Sequence, residues 1–136
     1  MLRALTKTRG KAVEAFFAEV EAKIEGSSEA TAPAAEAVKS AADGVAQFLV
    51  TNQNDAQTLQ VAARDLAYSM ARIFMGSLMV EFAGKTGEDL DAEIAKRWCL
   101  GQNMGLVTTC SRLKLYGSEA VSFNRNIIED WFHGGL

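Results

Sequence analysis

The chain holds one histidine, one proline and two cysteines in 136 residues, and each scarcity removes a class of function. With His133 alone, a His-rich metal site, a Cys-His nucleophile pair or a catalytic triad with a choice of bases is ruled out. Glu129 precedes His133 by four residues, but a di-iron bundle needs repeated Glu-x-x-His pairs on several helices. His133 beside Gly134-Gly135 therefore reads as a surface or capping residue. No catalytic, cofactor-binding or metal-ligating residue is expected in this chain. A strong excess of one charge is also missing: 14 Lys+Arg against 17 Asp+Glu gives a net charge of -3, which offers no electrostatic case for nucleic acid.

The cysteines do not form a framework. Cys99 and Cys110 are eleven residues apart in what reads as one helix, about 16 Å along its axis at 1.5 Å per residue. Disulfide Cα atoms must come within about 7 Å, so two buried free thiols in a reducing compartment are expected. The localisation that follows is cytoplasmic, with the mitochondrial matrix left open. Arg3, Lys7, Arg9 and Lys11 resemble the start of a transit peptide, yet Glu14, Glu19 and Glu21 follow closely, which favours a structural helix.

A long uninterrupted apolar run is absent too. The most apolar stretch, Ala63 to Thr86, is broken by Arg64, Asp65, Arg72 and Glu81. On insertion scales Leu66, Ile73, Phe74, Leu78, Val80 and Phe82 together supply about -2 to -4 kcal/mol, and a central Arg72 costs about 2.5 to 3.5. The balance is near zero before Glu81 is counted, so no membrane span is expected. The stretch ends on Gly84-Lys85-Thr86, but a phosphate loop would need a glycine where Met79 stands.

What is present is helix-forming sequence. Apolar residues make up 49% and charged residues 23%, the balance of a folded domain. Five helical segments are predicted from apolar spacing. The first runs near 3–25, and the second near 32–52 with Pro33 in its first turn. The third spans 55–84. Thr86 caps a fourth whose inner face is Leu90, Ile94, Trp98, Gly101, Gly105 and Thr108, and a short fifth follows near 118–132. In the third, Leu59, Ala62, Leu66, Ala67, Ile73, Phe74, Leu78 and Phe82 share a stripe so broad that this helix is expected to be central and covered on more than one side. Short connections favour antiparallel neighbours. The expectation is one all-α domain over residues 1–136, an up-and-down four-helix bundle with an additional short C-terminal helix.

The interaction candidates are Arg64, Asp65, Arg72, Trp98 and Trp131. Arg64 and Arg72 are two turns apart, able to hold a phosphate or carboxylate, unless Asp65 simply pairs with them. Trp98 and Trp131 are candidate interface anchors, with core burial as the ordinary alternative. Met70, Met75, Met79 and Met104 could line an adaptable apolar interior.

Ala63-Arg64-Asp65, Ala71-Arg72 and Arg97-Trp98-Cys99, lying within AARDLAYSMARIFMGSLMVEFA and AEIAKRWCLGQNMGLVTT, form a pattern similar to a known family. It resembles the C-terminal helical extension of large bacterial-type acyl-CoA dehydrogenases. That resemblance implies an accessory domain of an FAD-dependent oxidoreductase of fatty acid metabolism, packing against the dehydrogenase core or supporting a homo-oligomer. The family's glutamate base and flavin contacts lie upstream of such an extension and match nothing here, so the implied FAD belongs to the parent enzyme. The alternatives are a free-standing helical interaction module and a small apolar ligand carrier.

Overall fold

A computed structural model describes residues 10–134, all of the regular structure in them helical. In chain order the helices are α1 (Lys11–Glu25), a single 3-10 turn (Glu29–Thr31), α2 (Ala32–Thr51), α3 (Ala56–Thr86), α4 (Asp89–Gly101), α5 (Leu106–Arg112) and α6 (Ser118–His133). The expected start of the first helix, residues 3–9, lies outside the described residues. Gly10 takes φ 85° before α1, a left-handed conformation that suits glycine.

The ends of the helices follow local chemistry. Ser28 and Thr31 form a reciprocal capping box before α2, and Pro33 occupies its first turn. The Asp55 carboxylate accepts from the Thr58 N–H at 3.0 Å, capping α3. Gly87, at φ 68°, ends α3 with its N–H donating to the Ala83 carbonyl. Thr86 is the last residue of α3 rather than the cap of the next helix. Its hydroxyl nevertheless serves that junction, accepting from the Glu88 N–H at 3.3 Å and donating to Asp91 at 2.7 Å.

Helices α2 and α3 form the central pair. α1 and α4 each pack on both of them, and α5 also lies against both. Val20, Val38, Val45, Leu66, Ile73, Val80 and Val107 are fully enclosed between these elements. Gly76 leaves room for three inward side chains: a Cβ there would lie 3.0 Å from Val38 Cγ2, 3.0 Å from Met104 Sδ and 3.2 Å from Cys99 Sγ. The small inner face of α3 thus permits the close approach that Val38, Met104 and Cys99 make.

Three expectations need correction. The predicted fourth helix is two, because Gly101, Asn103 and Gly105 favour helix poorly and the chain straightens at Gln102, ψ 144°. The break lets Met104 turn inward, where it is 3% exposed. The inner face of α4 is Ala92, Ala95 and Cys99; Leu90 and Ile94 point outward, and Trp98 is half-buried against the core. Finally, α3 is covered on more than one side, as expected, but its stripe is only partly enclosed: Ala62, Leu66 and Ile73 are buried, whereas Ala67, Leu78 and Phe82 are exposed. By length and composition α3 is the one described helix that could cross a membrane; here it packs against α1, α2, α4 and α5.

Candidate interaction site on the central helix

Arg64, Tyr68 and Arg72 follow one another at four-residue steps, so they stack along one side of α3. The two guanidinium groups flank the tyrosine ring, Arg64 at 5.4 Å and Arg72 at 5.7 Å from its centroid. Both distances are in the range of cation–π attraction. Arg72 also donates from Nη1 to the Asn103 carbonyl oxygen at 3.1 Å. That carbonyl is freed by the break between α4 and α5, so Arg72 closes a gap that the local sequence opens. Neither arginine forms an ion pair among the described residues.

Asp65 has a different partner from the one its neighbours suggest. Its Oδ2 accepts a 2.6 Å hydrogen bond from the Tyr116 hydroxyl, 51 residues away, and so does not neutralise Arg64 or Arg72. Tyr116 is 7% exposed and packs edge-on against Phe48. Burial, reinforced by the neighbouring carboxylate, raises its pKa well above the usual phenol range. Beside it, Ser69 links α3 to α5: its hydroxyl donates to the Asp65 carbonyl at 2.7 Å and accepts from the Val107 N–H at 3.0 Å. Val107 is the second residue of α5, one of the N–H groups that a helix leaves unpaired.

The structure therefore gathers Arg64, Asp65 and Arg72 within two turns and leaves the tryptophans elsewhere. Trp98 is half-buried on α4, and Trp131 is 61% exposed on α6, a helix with no buried residue and no packing neighbour among the described elements. Sequence reasoning passed over Tyr68, although its place midway between the two arginines was a usable signal. It also passed over Tyr116 and Ser69, for which only the fold supplies the connection.

The Cys99 thiol is buried and pushed up to about 11 by desolvation, the opposite of an activated nucleophile. Cys110 is a second free thiol, half-buried. Among the described residues no three His, Cys, Asp or Glu side chains form a group able to hold a metal ion. Met70, Met75, Met79 and Met104 do not line a common interior: Met104 is buried, Met75 is 49% exposed, and Met70 and Met79 are intermediate.

An open cavity of about 740 Å³ lies between α1 and α2 over Phe17, Val20, Ile24 and Ala35. Its walls carry Glu14, Glu21, Glu25, Glu36 and Asp43 against Lys39. Such a rim repels the carboxylate of a fatty acid and the phosphates of a CoA thioester.

The described residues form an all-α domain whose interaction candidates Arg64, Asp65 and Arg72 gather on its longest helix. Residues 11–128 match the family model described as acyl-CoA dehydrogenase 11 C-terminal domain-like, and the chain belongs to that family. No curated protein and no solved structure matches it.

Proposed function

We propose that this chain is the accessory C-terminal helical domain of a flavin-dependent acyl-CoA dehydrogenase, where it packs against the catalytic core or supports oligomerisation. The family match over residues 11–128 carries this reading. The side chains agree with it: the positions best suited to interaction are exposed Arg64, Tyr68 and Trp131 with half-buried Arg72, whereas the buried Cys99 thiol and Tyr116 phenol have raised pKa values that hold them neutral. FAD and the acyl-CoA thioester are bound by the core of the parent enzyme, and this domain contributes surface. The acidic rim of the α1–α2 cavity weighs against a carrier of acyl groups.

The test is made on the native polypeptide that contains this chain, purified from source cells. It is expected to show flavin absorbance near 450 nm and to reduce an electron-accepting dye when supplied with acyl-CoA. Deleting residues 11–128 is expected to lower the assembly state or the thermal stability while leaving flavin bound. A native polypeptide with neither flavin nor acyl-CoA oxidation would overturn the proposal.

A further inference from the structure

The outer face of α3 has a regular pattern that the domain itself does not use. Val61, Arg64, Tyr68, Ala71, Met75, Leu78 and Phe82 are all exposed, and their spacing is 3-4-3-4-3-4, the alternation of a coiled-coil seam. At 100° per residue this seam lies opposite the buried stripe of Ala62, Leu66, Ile73 and Val80. Val61, Tyr68, Met75, Leu78 and Phe82 are between 41% and 59% exposed. With large side chains offering roughly 150–250 Å² each, the open apolar patch is on the order of 400 Å². A face of that shape is fitted to another helix.

Among the described residues, α6 has no packing neighbour. On α6, Val121, Asn124, Ile127, Ile128, Trp131 and Phe132 occupy one stripe, and Glu119, Arg125, Glu129, Asp130 and His133 take the remaining surface. Trp131 and Phe132 are 61% and 76% exposed. The helix is about 24 Å long and the α3 seam about 32 Å, at 1.5 Å per residue, so the one fits within the other. Charge selects between the open surfaces. α6 has three carboxylates against Arg125, whereas the α3 face offers Arg64 and Arg72, which form no ion pair among the described residues, and its Glu81 is already paired to Lys23 and Lys85. The α1–α2 groove, rimmed by five carboxylates and one lysine, repels the same helix.

We propose that α6 of one copy seats on the α3 seam of a second copy, and that the second returns its own α6, giving a two-fold dimer by helix exchange. Reciprocal exchange covers two α3 seams and two α6 stripes, on the order of 1,600 Å², the size of a stable interface. It goes beyond the accessory role, since it assigns the surface and the partner through which the domain self-associates.

The experiment uses the full 136-residue chain with Cys110→Ser. Light scattering is expected to give about twice the 14.7 kDa chain mass. Met75→Glu and Trp131→Glu, both at exposed positions, are each expected to weaken dimerisation at least tenfold while the helical circular dichroism is unchanged. An Ala71→Cys chain mixed with an Asn124→Cys chain is expected to form a disulfide between the two under mild oxidation, because these positions lie near the middle of the two faces. A monomeric wild-type chain overturns the proposal. So does a dimer that survives both glutamate substitutions, or a cross-link that forms only when both cysteines are on one chain.

Discussion

Replacing Ser69 with alanine isolates the contact that ties α5 to α3. The hydroxyl accepts the Val107 N–H at 3.0 Å, and both residues are fully buried, so water has no path to replace it. Leaving a buried donor unpaired costs about 1–3 kcal/mol. The bond from Ser69 to the Asp65 carbonyl matters less, because that carbonyl also accepts within the helix. Alanine returns up to about 0.5 kcal/mol of helix propensity. The expected net loss is about 1–2 kcal/mol in urea denaturation at unchanged m-value, or roughly 3–8 °C in Tm for a domain of this size. The loss should be local in origin, with hydrogen exchange at the Val107 amide accelerating more than at Val38 or Ile73. Ser69→Thr keeps the acceptor and tests whether loss of the hydroxyl is the cause. Equal or higher stability of Ser69→Ala, with unchanged exchange at Val107, would refute the assigned role of this bond.

Other expectations follow from the same interior. Tyr116 and Cys99 both have raised pKa values in the fold, so above their unfolded values the unfolded chain releases protons first. Stability is then full at neutral pH and falls as pH rises from about 8.5 through 11 for Cys99 and from about 10 upward for Tyr116, at up to about 1.4 kcal/mol per pH unit for each group. Denaturant titrations between pH 7 and 11.5 should show this decline, and Cys99→Ala should remove the portion beginning near 8.5; a flat profile in the parent chain would contradict the account. Thr108 Oγ1 is buried without a hydrogen-bond partner, so Thr108→Val should be neutral or stabilising by up to about 2 kcal/mol in thermal unfolding, and a clear destabilisation would show that the hydroxyl has a partner.

Much of the helical framework was legible in the sequence, for identifiable reasons. Pro33 in its first turn marks α2, expected near 32–52 and found at Ala32–Thr51, whereas α3 runs to Thr86, two residues past its expected end. The break between α4 and α5 was misread because Gly101 and Gly105 serve equally as packing residues within a helix and as its interruption. What settles the matter is the burial of Met104 and the bond from Arg72 to Asn103, both long-range. On α3, Leu78 and Phe82 were assigned to the core because apolar residues surround much of the cylinder. Periodicity finds such faces but does not say which of them the domain itself covers. Arg64 and Arg72 could be picked out by spacing alone, whereas the Asp65–Tyr116 bond spans 51 residues and leaves no local signal. Trp131 stands out in the sequence as a large aromatic, and its exposure on a helix without neighbours among the described elements follows from the fold.

The central claim, that this chain is a domain of a larger dehydrogenase, is tested most directly by the size of the native polypeptide in source cells, detected on a denaturing gel with an antibody against residues 11–128. The account predicts a band far above 14.7 kDa whose tryptic peptides include those of an acyl-CoA dehydrogenase core. A single band at 14.7 kDa would contradict it.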